Sequence, residues 1–365
     1  MLALSDPITI NGMKLKNRMV RAATLEMMAT PDGGATEDHV RLYENLAQGG
    51  VGLIITGATY INEGTRLDPS QNGIHQDSLI PKWQKVTEAV HRNGGKIGMQ
   101  IVHFGRIMDP KANGNRRPKA PSSLPCIPFM SWPKGMSEDE IWETIHCFGT
   151  AASRVKASGF DAVEIHAGHG YLISNFLSPM TNLRMDGWGG SPRKRFRFLK
   201  EVYRAVRSAV GPDFPILCKM NMDDYIGIGF RPRFSYPVVQ RLEAEGVDAL
   251  EITGGTFEVS MLKAVRGGMP ADVLSRGFNP IIQAFFRATC LLEERRNPFY
   301  EAYFADHARN LKRLVDIPLI LVGGIDLPPF YVPAGMRGLS SFPALGGWSG
   351  AADTNSFGVR FPKLL

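Results

Sequence analysis

The sequence predicts an α/β fold, a (β/α)8 barrel in which parallel strands alternate with helices. Short, almost uninterrupted apolar segments alternate with longer amphipathic ones, which is the pattern of buried parallel strands covered by helices. Polar and small residues recur directly after the apolar segments, where a barrel gathers them on one rim. The 365 residues suffice for one such barrel or for two smaller domains, and composition alone does not choose between them.

Seven apolar segments predict the strands. They cover residues 18–23, 51–56, 96–102, 162–166, 215–220, 249–253 and 319–322. A doubly wound sheet would also bind its ligands at the carboxyl ends of parallel strands. However, no G-x-G-x-x-G motif follows the first segment, so the dinucleotide-binding version of that fold is disfavoured.

Six amphipathic segments predict the helices between these strands. The third begins with a capping box, Ser137-x-x-Glu140, and the second ends before Asn93-Gly94-Gly95. The six segments cover residues 38–48, 79–92, 137–158, 195–210, 236–245 and 298–315.

The C-terminal part of the chain breaks this alternation. From Asp326 onward the sequence is rich in Pro, Gly and Ser, with few charges and neither the helical nor the strand period. No eighth strand and no seventh or eighth helix is indicated. We therefore expect a barrel domain over residues 1–325, an atypical tail over residues 326–365, and a last βα unit that is missing or irregular.

The composition indicates a soluble, cytoplasmic protein. The formal charge of +7 is spread along the predicted helices as on a solvated surface, so we expect no nucleic-acid partner. No segment reaches the ~20 apolar residues of a membrane span, and residues 1–14 lack the pattern of a signal peptide. The cysteines are widely spaced, without metal or disulfide motifs, as in a reducing compartment. They are Cys126, Cys147, Cys218 and Cys290. A homo-oligomer is compatible with these properties.

The most informative segment is the end of the fourth predicted strand. There, apolar residues give way abruptly to His166, His169 and Tyr171. Titratable side chains at the end of a buried strand indicate a functional site, although two structural histidines with satisfied hydrogen bonds are the alternative. Other polar and small residues follow the remaining strands and should converge on the same rim. They are Thr24, Gly57, Ala58, Gln100 to Arg106, Lys219 to Asn221, Thr253 to Gly255, Gly323 and Gly324.

These rim segments, in this order, resemble the old yellow enzyme family of FMN-dependent NADH:flavin oxidoreductases. The resemblance runs from about residue 5 to residue 325. It rests on the segments at 15–24, 50–58, 100–106, 166–171, 176–191 and 251–255.

The resemblance implies FMN as cofactor, NADH or NADPH as reductant, and a small-molecule α,β-unsaturated carbonyl compound as substrate. The cofactor-binding residues it implies are Ala22, Ala23, Thr24, Ala58, Gln100, Lys219, Gly323 and Gly324. An amide such as Gln100 suits the mixed donor and acceptor edge of a flavin, and the Lys219 ammonium would stabilise the anionic reduced ring. The structural alternatives are a glutamine that joins two strands and a lysine whose charged end reaches solvent.

For catalysis, the resemblance implies that His166 and His169 bind the carbonyl oxygen of the substrate and that Tyr171 donates a proton to the α-carbon. For the FMN phosphate, Gly323 and Gly324 supply half of the expected site. The Gly-Arg turn expected after an eighth strand has no counterpart in the sequence.

Two further functions remain open at this point. A metal-dependent barrel hydrolase would use His103, His166 and His169 as ligands, but no His-x-His pair follows the first strand and no acidic ligand set appears, so we expect no metal. A degenerate barrel that binds flavin weakly or not at all would follow from the missing half of the phosphate site.

Overall fold

The computed structural model describes residues 3–108, 114–126, 131–258, 260, 266, 280–325 and 342–343. Its main sheet has nine strands, eight of which run parallel in chain order, each paired with the next. These strands are β3 (Val20–Arg21), β4 (Leu53–Ile55), β6 (Ile97–Val102), β9 (Ala162–Ala167), β10 (Ile216–Asn221), β11 (Ala249–Thr253), β12 (Leu319–Leu321) and β13 (Phe342–Pro343). All seven predicted strands are confirmed, and the fold is the predicted parallel barrel.

The last strand is the exception to the regular pattern. Strand β13 has two residues, Phe342 and Pro343, which pair with Ile320 and Leu321 of β12. The sequence gives no sign of this strand, because Pro disfavours a strand interior and no apolar run surrounds it. Its brevity agrees with the expected irregular last unit. The remainder of the predicted tail lies outside the described residues.

Eight α-helices are described, and most lie between the barrel strands. They are α1 (Glu37–Gln48), α2 (Ile80–Arg92), α3 (Glu138–Ala157), α4 (Leu172–Leu177), α5 (Pro192–Val210), α6 (Pro232–Glu245), α7 (Pro280–Arg296) and α8 (Ala305–Leu311). The first five predicted helices are confirmed with shifted ends. Among the described helices, none has both the length and the apolar character needed to cross a membrane.

The sixth predicted helix, over residues 298–315, was too long. Only Ala305–Leu311 is helical, and helix α7 before it was not predicted. Tertiary contacts explain the difference. The Ala302 N–H donates to Gly324 O at 3.0 Å, with Ala302 at a positive φ of 52°, and the Tyr303 ring packs on the turn at Gly323. These contacts with another part of the chain replace the helix that the local pattern favours.

Five short strands of the described structure lie outside this order of eight. Strands β1 (Ile8–Ile10) and β2 (Met13–Leu15) form an antiparallel hairpin around Asn11 and Gly12, both at positive φ. Asn-Gly is a strong hairpin signal, because both of its residues readily adopt positive φ. Strand β5 (Thr59–Tyr60) pairs with β6, and β7 (Lys119–Ala120) pairs with β8 (Lys134–Gly135).

The register of the barrel strands gives an unusually polar interior. Paired residues in parallel strands project to the same face, so Gln100 shares a face with Glu164, and Lys219 shares one with both His166 and Glu251. The alternate positions are apolar and belong to the core under the helices; they include Met99, Ile101, Val163, Ile165, Met220, Leu250 and Ile252. Barrels usually fill their interior with branched apolar side chains. Here the interior near the carboxyl ends is built for polar chemistry.

The capping box predicted for α3 is confirmed. The Glu140 N–H donates to Ser137 Oγ at 3.2 Å, and the Ser137 N–H donates to Glu140 Oε2 at 2.9 Å. Two backbone donors at the helix start are thereby satisfied. The buried face of the helix, which includes Ile141 and Phe148, is held against the barrel by this defined start.

We expect Ser137→Ala to lower the free energy of unfolding by about 1 kcal/mol, because one helix-start donor loses its acceptor. Urea unfolding measures this change. Thr150→Ala, on an exposed part of the same helix, is the matched control and should change stability by less than about 0.5 kcal/mol. Equal losses in the two variants would contradict the capping assignment.

Candidate functional site

The loop after β9 turns sharply to present the predicted cluster. His169 and Gly170 follow the strand with positive φ values of 58° and 81°, and Tyr171 is the N-cap residue of α4. A positive φ is uncommon for a residue with a side chain and requires support from its surroundings. The chain therefore places two side chains, those of His169 and Tyr171, back over the strand end at His166.

Asn221, at the end of β10, supports this strained turn. Its side-chain Oδ1 accepts from the His169 N–H at 3.0 Å, while its Nδ2 donates to Gly255 O at 2.7 Å and to Asp224 Oδ1 at 2.9 Å. Asn221 is fully buried. It thus joins the loops that follow β9, β10 and β11. The sequence placed Asn221 on the rim but gave it no role, because its partners are distant in sequence.

The three predicted catalytic side chains lie in one cluster. The His166 and His169 ring centroids are 5.0 Å apart, His166 and Tyr171 are 4.8 Å apart, and His169 and Tyr171 are 6.3 Å apart. Each pair meets edge to face. Two nitrogen-bearing rings and a phenol therefore face one small volume at the carboxyl end of the barrel.

Both histidines of the cluster are neutral. Burial is the main cause that lowers the pKa of His166 well below its ordinary value and that of His169 to about 3, and the Lys219 charge adds to both shifts. His166 Nδ1 accepts from the Gly168 N–H at 3.1 Å, so its proton resides on Nε2. His169 Nε2 lies 2.8 Å from Thr253 Oγ1. These side chains can act as hydrogen-bond donors without bringing a positive charge.

Tyr171 is buried between aromatic rings. Its centroid is 4.7 Å from that of Phe104 and 5.7 Å from that of Phe257. Burial raises the pKa of the Tyr171 phenol, so the hydroxyl keeps its proton at neutral pH. This environment favours a proton donor over a phenolate.

Phe257 is a site residue that the sequence did not reveal. It follows β11, its N–H donates to His169 O at 3.1 Å, and its ring meets those of both His169 and Tyr171. A lone aromatic residue in a loop carries no signal of such contacts. In the structure it covers one side of the cluster and limits the access of water.

Below the cluster, Gln100 and Lys219 lie inside the barrel, each with an acidic partner on a neighbouring strand. Gln100 Nε2 donates to Glu164 Oε1 at 2.7 Å, so it does join β6 to β9, as the structural alternative expected. Lys219 Nζ lies 2.6 Å from Glu251 Oε1. Only 5% of Lys219 is exposed, which excludes a lysine that extends to solvent. Neither acidic partner was predicted.

Small residues follow the first two barrel strands, at the same end of the barrel. Ala22 and Ala58 are buried, while Ala23 and Thr24 are partly buried. Gly57 beside them has no room for a side chain, because a Cβ there would lie 2.4 Å from Thr24 O and 2.1 Å from a Glu26 oxygen.

Glu26 fixes Gly57 and was also missed. Its carboxylate accepts from the Gly57 N–H at 3.0 Å, from Asn72 Nδ2 at 3.0 Å and from the Tyr43 hydroxyl. Three donors on one buried carboxylate balance its loss of hydration. The partners come from separate segments of the chain, so no local sequence motif predicts the network.

Gly323 and Gly324 follow β12 at φ values of 98° and 68°. The Tyr303 ring lies against both, because a Cβ on Gly323 would be 2.5 Å from its Cε2 atom. Only glycine fits this turn beside the ring. The second half of the phosphate site expected for the family falls on the tail, outside the described residues.

His103 does not join the other two histidines as a metal ligand. Its Nδ1 accepts from the Gly105 N–H at 3.0 Å, and burial lowers its pKa to about 3. Over the residues that the structure describes, no group of three or more His, Cys, Asp and Glu side chains is arranged to hold a metal ion. His103 therefore fixes the loop after β6.

Comparison with known proteins gives a family match and close relatives. The model of the NADH:flavin oxidoreductase / NADH oxidase family matches residues 3–238. The chain is 32% identical over 339 residues to the NADH oxidase of Thermoanaerobacter brockii, covering 92% of this chain and 47% of that protein. It is 38% identical over 255 residues to the NADPH dehydrogenase of Bacillus subtilis (strain 168), covering 70% of this chain and 74% of that protein.

Solved structures give the same fold. A complex of 2-naphthoyl-CoA reductase with 2-naphthoyl-CoA matches with a TM-score of 0.79 and 25% identity, covering 93% of this chain and 49% of that one. An old yellow enzyme homologue from Zymomonas mobilis matches with a TM-score of 0.69 and 23% identity, covering 90% and 83%. The chain spans about half the length of the Thermoanaerobacter oxidase and of the naphthoyl-CoA reductase.

The lowered pKa of His103 predicts a loss of stability in acid. Between pH ~6.5 and ~3 the unfolded chain binds a proton at this position and the folded chain does not, so stability falls as the pH falls through this range. His103→Asn keeps an acceptor for the Gly105 N–H and removes the titration. In urea unfolding at several pH values, the variant should lose stability less steeply than the parent, by up to about 1.4 kcal/mol per pH unit. Parallel pH profiles would contradict this assignment.

Proposed function

The chain belongs to the NADH:flavin oxidoreductase / NADH oxidase family, which includes the old yellow enzymes. We propose that it is an FMN-dependent reductase of α,β-unsaturated carbonyl compounds. Hydride comes from NADH or NADPH and reaches the activated C=C bond of a small-molecule substrate. The observation that carries the proposal is the cluster of two neutral histidines and a protonated tyrosine above Gln100 and Lys219. We also propose a cytoplasmic location, which the four free cysteines support.

The residues present fit FMN. A flavin offers a polar edge with donors and acceptors, an apolar ring face and a phosphate. Gln100 and Lys219 supply an amide and an ammonium within the buried interior, and Ala22, Ala58 and the partly buried Thr24 are small residues that follow the first two barrel strands. We assign Gln100 and Lys219 to the polar edge, Ala22, Ala23, Thr24 and Ala58 to the ring, and Gly323 and Gly324 to the phosphate. FMN, when bound, accepts hydride from the nicotinamide and passes it to the substrate.

His166 and His169 bind the substrate carbonyl in this proposal. A neutral imidazole N–H directed at the carbonyl oxygen stabilises the negative charge that develops there as hydride adds to the β-carbon. The Nε2 proton of His166 is fixed by the acceptor role of Nδ1. His169 is oriented through Thr253 and through Asn221, which accepts from its backbone.

Tyr171 completes the reaction by giving its phenolic proton to the α-carbon. A protonated hydroxyl is required for this step, and burial against Phe104 and Phe257 maintains it. The same rings keep water from competing as a proton source.

The alternative of a degenerate barrel is resolved by a direct experiment. Protein purified without added cofactor should be yellow, release FMN on denaturation, lose its colour with NADH or NADPH without oxygen, and regain it with a cyclic enone. A colourless protein that does not take up added FMN would overturn the proposal. A yellow protein that enones do not reoxidise would restrict it to flavin reduction.

We expect Tyr171→Phe to leave reduction of the flavin by nicotinamide nearly unchanged, because the phenol acts only in proton delivery. Reoxidation by an enone should slow by about 10²–10⁴-fold, the usual effect of losing a general acid. Stopped-flow absorbance separates the two half-reactions. Tyr236→Phe, which removes a hydroxyl bonded to His307 on the outer helices, is the matched control. Equal slowing of both half-reactions would contradict the role of Tyr171.

The His166→Ala, His169→Ala double variant should lose affinity for phenols, whose oxygen takes the place of the substrate carbonyl oxygen. Removing two buried donors should weaken binding by at least about tenfold, since each is worth roughly 1 kcal/mol. Titration followed by flavin absorbance gives the dissociation constants. His146→Ala, exposed on α3, is the control. Unchanged phenol affinity in the double variant would show that the carbonyl binds elsewhere.

A further inference from the structure

Two carboxyl groups, one ammonium and one amide share the buried interior of the barrel. Glu164 and Glu251 are both fully buried, with Lys219 and Gln100 only 5% and 2% exposed. The strand register puts Gln100 beside Glu164 and Lys219 beside Glu251. None of the sequence patterns assigned a role to either glutamate.

The charges in this interior do not balance if every group is ionised. Two carboxylates and one ammonium would leave one negative charge without a counter-ion, and an uncompensated buried charge is strongly destabilising. The two glutamates are not equivalent. Glu251 lies 2.6 Å from the Lys219 ammonium, whereas the described partner of Glu164 is the uncharged Gln100 amide at 2.7 Å.

The unused oxygens indicate where a proton resides. Glu164 Oε2 and Glu251 Oε2 are buried without a hydrogen-bond donor among the described residues, whereas Glu251 Oε1 lies 2.6 Å from the Lys219 ammonium. Both carboxyl groups face the interior from the two sides of β10, where Leu217 pairs with Glu164 and Lys219 pairs with Glu251. A hydrogen bond between the two carboxyl groups is among the causes that raise the pKa of Glu164. Two carboxylates cannot bond because both only accept, but one proton between them makes a donor and an acceptor.

We propose that Glu164 is a neutral carboxylic acid whose Oε2 hydroxyl donates to Glu251, and that Glu251 is the carboxylate that neutralises Lys219. The two glutamates thereby act as positioning residues that set the charge and orientation of Lys219 and Gln100 next to the flavin edge. The part concerning the flavin rests on the proposed function.

The surroundings agree with this assignment. Burial and then the Glu251 charge raise the pKa of Glu164 well above its ordinary value, against a smaller opposing effect of Lys219. The neighbouring ionisable groups remain neutral, because burial lowers the pKa of His166 and raises that of Cys218. The ion pair of Lys219 and Glu251 is therefore matched one to one.

The proton also orients Gln100. In a carboxylic acid with its hydrogen on Oε2, Oε1 is the carbonyl oxygen and accepts from Gln100 Nε2, as observed. This bond directs the Gln100 amide nitrogen, Nε2, toward β9. The Gln100 carbonyl oxygen and the second Nε2 hydrogen then remain for the polar edge of the cofactor.

The test compares two variants of the FMN-loaded protein. Glu164→Gln replaces one neutral group by another and should leave the midpoint potential of the flavin near that of the parent. The Glu164→Gln, Glu251→Gln double variant leaves Lys219 without a counter-ion and should favour the anionic reduced flavin by about tenfold or more, or about 30 mV for a two-electron couple. The double variant includes Glu164→Gln because, in a Glu251→Gln single variant, Glu164 would ionise and replace Glu251 as the counter-ion of Lys219.

Infrared spectroscopy tests the proton independently of the flavin. The parent in D₂O at neutral pH should show the carbonyl stretch of a protonated carboxylic acid that disappears in Glu164→Gln and persists in Glu245→Gln, a surface control that pairs with Arg204. Circular dichroism verifies that each variant is folded.

The outcomes distinguish a failure of the Glu164 assignment from a failure of the proposed function. The proposal is overturned if Glu164→Gln raises the potential as much as the double variant, or if no carboxylic acid band is lost. A protein that binds no FMN would refute the proposed function, and the infrared band would still decide whether Glu164 is protonated.

Discussion

The register of the four strands β6, β9, β10 and β11 is the constraint on which this site depends. Because paired residues of parallel strands project to the same face, Gln100 meets Glu164, and Lys219 meets both His166 and Glu251. A shift of one residue in any of these strands would exchange a polar interior residue for an apolar one from the helix layer. The apolar helix-facing positions of the same strands fix the register, so packing outside the barrel determines the chemistry inside it.

Burial then determines the protonation states. The same loss of hydration keeps the His166 imidazole neutral and the Tyr171 phenol protonated. A neutral imidazole donates through one nitrogen only, and the Gly168 N–H on the other nitrogen decides which one. Backbone geometry at the strand end thus sets the direction in which the His166 imidazole can donate a hydrogen bond.

Three of the site residues that the sequence identified rest on a polar residue to which the sequence analysis gave no role. Gly57 is held by Glu26, the turn at His169 by Asn221, and Lys219 by Glu251. Such supporting contacts hold reactive groups within a fraction of an ångström of a working geometry. In this protein the supporting residues are charged or amide-bearing and fully or nearly fully buried, which makes the interior sensitive to single changes of charge.

The sequence by itself determined the order of the first seven barrel strands and of five of the helices between them, and it placed His166, His169 and Tyr171 together at one strand end. It could do so because period, capping and strand-end polarity are local signals. The extent of the helix near residue 305 and the roles of Phe257, Glu26 and Glu251 were decided by the tertiary structure. These depend on contacts between segments far apart in the chain, such as Ala302 with Gly324 or Lys219 with Glu251. No local pattern encodes a partner that only the folded chain brings near.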